Sequence, residues 1–216
     1  MGRPLLDLSL YLVTDTVLCG QFGVTATVSA AVGAGVTVVQ LRDVDATDDE
    51  LVALGREVTA VLRGTGVPLI VNDRAHLVDA IGADGVHVGQ SDLEIEQARA
   101  LVGPTAYLGL SVQTLEHVMV ARGHASGMLD YLGVGPVWGT ATKLDAAAPG
   151  GITALHQITS ASPWPCVAIG GINPERRSMV RGAGAVGVAV VSAICGQPDV
   201  VAATRLLRTR WAGAST

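Results

Sequence analysis

Lysine is almost missing from this chain: thirteen of its fourteen Lys and Arg residues are arginine, and Lys143 stands alone. A positive stripe able to neutralise a nucleic-acid backbone is missing too, with a formal net charge of -5 and a pI near 5.4, so nucleic acid is excluded as the expected partner. Cysteine is scarce. Cys19, Cys166 and Cys195 form no CxxC or Cys/His ligand spacing, which predicts buried free thiols in a reducing compartment, without disulfides or structural zinc. No segment offers the roughly 18 uninterrupted apolar residues of a membrane span, and Met1 to Leu10 lacks the apolar run and cleavage site of a secretory leader. No membrane partner is expected, and the expected location is the cytoplasm.

What the 216 residues do contain, at 49% hydrophobic, is enough apolar matter for a substantial core. Eight short apolar runs recur with amphipathic segments between them, the pattern of βα units in a parallel sheet. They are Leu10 to Thr14, Val36 to Leu41, Val67 to Asn72, Gly85 to Val88, Ala106 to Ser111, Tyr131 to Val134, Val167 to Ile169 and Val186 to Val191. Helix starts are marked by a capping box at Thr47 to Glu50, by Asn173-Pro174 and by Pro198-Asp199, and Gly-Ala-Gly or Gly-Ala-Asp-Gly spellings mark helix ends. No linker divides the chain. The expected fold is α/β, a single (β/α)8 TIM barrel over residues 1–216.

In that fold Thr14 and Asp15, Gln40 and Arg42, Asn72 and Asp73, Gly89 to Asp92, Ser111, Gly135-Pro136, Gly170-Gly171 and Ser192 all fall at C-terminal strand ends, the rim where barrel enzymes carry their chemistry. Asp73 and Asp92 follow neighbouring strands and could share one magnesium ion, which takes one or two carboxylates and fills its shell with water and phosphate oxygens. Each alone reads more readily as a helix cap; the pair favours metal. Arg42 and Lys143 are the cations best placed beside it, Arg42 with a salt bridge to Asp43 or another rim acid as the plain alternative. A single lysine kept in an arginine-using chain points to a need for the ammonium itself. Gly170-Gly171 and the segment Val191 to Ile194 follow strands seven and eight, where barrels cradle phosphate on free amides at a helix N-terminus. The loop Trp138 to Lys143 is long enough for a lid, and Thr140 and Thr142 offer it hydroxyls. The five histidines, His87 within a strand among them, pair at no ligand spacing and read as structural or surface residues.

Taken in order, Leu10-Tyr11-Leu12-Val13-Thr14-Asp15, Val39 to Asp43, Val71 to Arg74, Gly82 to Asp92, Gly109 to Ser111, Gly135 to Val137, Thr140 to Lys143, Ile169 to Ile172 and Val191 to Ile194 resemble the thiamine-phosphate synthase family over nearly the whole length. The resemblance implies a transferase that condenses hydroxymethylpyrimidine diphosphate with thiazole phosphate, giving thiamine phosphate and pyrophosphate through a dissociative substitution. It implies that Gln40, Leu41, Arg42, Asp43, Val44, Asn72, Ser111 and Lys143 meet the pyrimidine diphosphate, with Arg42, Ser111 and Lys143 catalytic. Thr140, Thr142, Gly171, Val191 and Ser192 would hold the thiazole phosphate, and Asp73 and Asp92 the magnesium. Two positions depart from the family pattern: Val44 stands where a lysine is usual and Gln113 where a histidine is usual, so the expected site is poor in cations.

The competing expectations are a thiazole-phosphate isomerase, which has no diphosphate needing a metal and so no need of the acid pair, or a non-catalytic ligand-binding paralogue of the same fold, and a Schiff-base aldolase using Lys143. The last is disfavoured because such a lysine should be buried on a strand, not carried on a polar loop. A homo-oligomer is compatible with the sequence.

Overall fold

The computed structural model describes residues 4–20, 22–124, 126–140, 142 and 148–208. Eight parallel strands close into a barrel in chain order, with β1 paired to both β2 and β8. They are β1 (Leu10–Val13), β2 (Val38–Leu41), β3 (Leu69–Asn72), β4 (Gly85–Val88), β5 (Tyr107–Val112), β6 (Tyr131–Val134), β7 (Cys166–Ile169) and β8 (Gly187–Val190). All eight expected runs are strands. The helices α1 (Val24–Ala34), α2 (Asp48–Leu62), α3 (Val78–Ile81), α4 (Ile95–Val102), α5 (Leu115–Arg122), α6 (Gly151–Ala161), α7 (Arg177–Gly182) and α8 (Val200–Leu207) alternate with them. A 3-10 turn, Ala75–Leu77, runs into α3.

Local chemistry accounts for the helix ends. Thr47 and Glu50 form the capping box of α2, and the Asp199 carboxylate accepts from Ala202 N at the start of α8. Gly35 and Gly82, both left-handed, close α1 and α3. Among the described residues no helix is long and apolar enough to cross a membrane, and all three cysteines are buried and free.

Side chains alternate across each strand, so the barrel has two cores. The larger lies between strands and helices and includes Leu10, Leu12, Val39, Leu41, Val71, Val86, Val88 and Leu132. The smaller fills the barrel itself: Leu8, Tyr11, Val13, Val38, Ile70, Tyr131, Val167 and Ala189. The inward row, continued by two residues towards the C-terminal mouth, passes from Val38 to Gln40, from Ile70 to Asn72, from Val167 to Ile169 and from Ala189 to Val191. The polar residues at the mouth thus share parity with the inner core, which aims them into the barrel opening.

Candidate functional site

Gln40 and Ser111, from strands on opposite sides of the mouth, are joined below it by a buried polar chain. Gln40 Nε2 donates to the Tyr11 hydroxyl at 2.9 Å, and the Tyr11 and Tyr131 hydroxyls lie 2.7 Å apart. The Tyr131 hydroxyl is 3.1 Å from His87 Nδ1, and His87 Nε2 is 2.9 Å from Ser111 Oγ. Both tyrosines are fully buried, and burial pushes both phenols above their ordinary pKa, so they stay protonated. Space for their rings comes from two glycines. A Cβ on Gly109 would lie 2.2 Å from Tyr131 Cζ and 2.4 Å from His87 Nδ1, and one on Gly133 would lie 2.9 Å from His87 Cε1.

By sequence His87 reads only as a structural or surface residue, with no ligand spacing. Its place in this chain is a finding of the fold. The available signal was parity: His87 stands two residues after Gly85 on β4, opposite Asn72, and faces two strands whose facing positions are glycine.

Around this chain lie the acidic and cationic candidates. Asp73 follows β3 in the left-handed region at φ 59, with its N–H on His87 O at 2.8 Å and Asn72 Nδ2 on its Oδ2 at 2.7 Å. Asp92 folds back so that its Oδ2 accepts from Gly89 N at 2.7 Å. Neither stands at an N-cap position: the N-cap of α4 is Glu94, and that of the 3-10 turn is Arg74. Both carboxylate-bearing segments therefore meet at the end of β4. No cluster of three or more potential metal ligands occurs among the described residues, so a cation there would have these two carboxylates and no protein cage.

Arg42 lies 3.9 Å from Asp15, a loose ion pair, while its N–H donates to Thr14 Oγ1 at 3.0 Å. Asp43 is engaged elsewhere: it accepts from Thr16 Oγ1 at 2.6 Å and from the N–H groups of Asp45 and Ala46. Arg42 is therefore not tied to Asp43. Val44 is exposed beside it. Leu41 points away from the mouth into the outer core, so only its backbone is near the opening.

The far side of the mouth is built from the ends of β6, β7 and β8. Gly170 and Gly171 take φ of 99 and 62, and a Cβ on Gly171 would sit 2.7 Å from Gly139 O. This close approach lets Trp138 N donate to Gly170 O at 3.0 Å. Arg176, which sequence reasoning passed over, braces the pair by donating to Gly171 O while its guanidinium lies 4.8 Å from the Trp138 ring centroid. Thr142 N donates to Thr140 Oγ1 at 3.3 Å. Lys143 falls outside the described residues.

The amides after β7 and β8 were expected at helix N-termini, yet α7 begins only at Arg177 and α8 only at Val200. After β8 the chain instead turns tightly, with Ile194 N and Cys195 N both donating to Val191 O. The reason is steric: Gly170-Gly171 must first pass the β6 loop, and the residues after Val191 double back before Pro198. The segments after β7 and β8 are therefore turns, at Gly171 and Ser192, and not helix N-termini.

Fold and site together define a barrel enzyme whose mouth carries a pair of carboxylates on one side and glycine-rich turns on the other. A family model described as thiamine monophosphate synthase matches residues 10–194. Thiamine-phosphate synthases from Psychrobacter sp. (strain PRwf-1) and Azorhizobium caulinodans are 46% and 47% identical over 200 and 203 residues. Those matches cover 93% of both chains in the first case and 94% of both in the second. The solved thiamine phosphate pyrophosphorylase from Pyrococcus furiosus superposes with a TM-score of 0.83 at 33% identity, covering 94% of each chain. The chain belongs to the thiamine monophosphate synthase family, and with it to the transferases of thiamine biosynthesis.

Proposed function

We propose that the chain joins hydroxymethylpyrimidine diphosphate to thiazole phosphate, releasing pyrophosphate and forming thiamine phosphate. The observation that carries this is the inward row Gln40, Asn72 and Ser111, which meets Asp73 and Asp92 at one mouth, opposite the Gly171 and Ser192 turns. One side suits a diphosphate with its metal, and the other a second phosphate.

Magnesium fits the donor set, because Asp73 and Asp92 offer only hard oxygen ligands at adjacent strand ends. When bound there, it would neutralise charge on the leaving diphosphate. Arg42, with Lys143, holds the diphosphate, and Gln40 and Asn72 orient the pyrimidine portion. Ser111 gives a hydrogen bond to the same substrate. The C–O bond to pyrophosphate breaks with both electrons leaving on oxygen, and the thiazole nitrogen supplies the pair for the new C–N bond. Thr140, Thr142, Gly171, Val191 and Ser192 seat the thiazole phosphate so that this nitrogen faces the pyrimidine-methyl carbon. The three buried free thiols support a reducing, cytoplasmic setting.

Magnesium dependence tests this assignment. Pyrophosphate release should require both substrates and magnesium, and Asp92→Asn should shift the dependence to higher magnesium. An isomerase acting on thiazole phosphate alone has no diphosphate to carry a metal; turnover of that compound by itself, indifferent to magnesium, would replace the synthase with the isomerase.

A further inference from the structure

In the chain Gln40–Tyr11–Tyr131–His87–Ser111 both buried tyrosine protons find their acceptors within the chain, and this sets its direction. Tyr11 is buried, and its oxygen accepts from Gln40 Nε2, so its own proton has Tyr131 as the remaining acceptor. The Tyr131 oxygen is then an acceptor towards Tyr11, and its proton goes to His87 Nδ1. An imidazole that accepts at Nδ1 carries its hydrogen on Nε2, and that N–H meets Ser111 Oγ. The Ser111 proton is left over. Turning the ring over would put carbons opposite both hydroxyls and lose both bonds, while Gly109 and Gly133 hold the ring edge against the neighbouring strands.

We propose that this buried chain has one proton direction, running from Gln40 to Ser111, and that Tyr11, Tyr131 and His87 are positioning residues that set the hydrogen-bonding character of both ends together. Gln40 keeps its carbonyl free to accept from a heterocycle N–H, and Ser111 keeps its hydroxyl proton free to give to an anionic oxygen. The two ends cannot be changed independently. If Gln40 instead turned its carbonyl to Tyr11, every bond would reverse: Tyr11 would donate to Gln40, His87 would carry its hydrogen on Nδ1, and Ser111 would spend its proton on His87. A serine so spent would present only lone pairs, which repel a phosphate oxygen. The consequence for substrate rests on the synthase proposal; the proton direction itself does not.

Histidine tautomers are read directly by long-range proton–nitrogen correlation on the ¹⁵N-labelled, ligand-free protein, with His87 assigned by its loss in His87→Asn. The expected result is Nε2–H with Nδ1 unprotonated. An Nδ1–H tautomer, or an imidazolium at neutral pH, overturns the proposal whether or not the protein makes thiamine phosphate. The second arm is Gln40→Glu, read at a pH where infrared absorption shows the introduced carboxyl to be ionised, since a carboxylate can only accept and so must take the Tyr11 proton. His87 should invert to Nδ1–H although it does not touch residue 40. Retention of Nε2–H in folded Gln40→Glu would show that the tautomer is set locally and would also overturn the proposal. Should that variant fail to fold, the wild-type tautomer alone still decides.

Discussion

Replacing Tyr131 by phenylalanine deletes one hydroxyl and strands two buried groups. The Tyr11 proton loses its acceptor at 2.7 Å and His87 Nδ1 its donor at 3.1 Å, at a site where Tyr131 is fully buried. An unmet buried polar group costs about 1–3 kcal/mol, so Tyr131→Phe should destabilise by roughly 2–6 kcal/mol. Tyr11→Phe strands chiefly Gln40 Nε2, for about 1–3 kcal/mol. The double variant leaves only Gln40 Nε2 and His87 Nδ1, two stranded groups where the single variants together leave three. Its cost should therefore fall short of the sum by about 1–3 kcal/mol, a coupling visible in a urea-denaturation double-mutant cycle. Additivity within about 0.5 kcal/mol, or a Tyr131→Phe protein as stable as the parent, would refute the buried chain.

Gly171→Ala places a Cβ at φ 62 and 2.7 Å from Gly139 O, so the turn must shift; with about 1–2 kcal/mol of left-handed strain, the KM for thiazole phosphate should rise about tenfold or more in steady-state kinetics. Lys143→Ala should lower kcat by about a hundredfold or more, the scale of one lost charge-stabilising donor, whereas Val44→Lys, at an exposed position, should be tolerated or raise kcat; unchanged turnover in Lys143→Ala would remove the significance of the lone lysine. The Asp48 carboxyl is held below its ordinary pKa by its hydrogen bond to His76 and then by Arg74. A depressed carboxylate stabilises above its unfolded pKa and loses that contribution as pH falls through its folded value. Acid unfolding should show a stability difference between parent and Asp48→Asn near neutrality that vanishes below the ordinary carboxylate range.

The barrel was legible in the sequence because strands buried on both faces must be continuous apolar runs, and eight of these could be counted. The rim was legible for the same reason, since polar residues that end such runs can only lie at the mouth. What escaped was anything set by contact across the barrel. His87 reaches Ser111 only because residues 109 and 133 lack side chains, a fact about three strands that no spacing along one of them records. Asp92 could be read as a helix cap until the fold began α4 beyond Glu94 and turned the carboxylate onto Gly89. Arg176 was hidden likewise, because its partners Trp138 and Gly171 come from two different loops.

The central claim is that one mouth joins two phosphorylated molecules. Purified, folded protein incubated with the pyrimidine diphosphate, thiazole phosphate and magnesium should yield thiamine phosphate and pyrophosphate in equal amounts, measured together by mass spectrometry and a pyrophosphate assay. A folded protein that forms no thiamine phosphate under those conditions would contradict it.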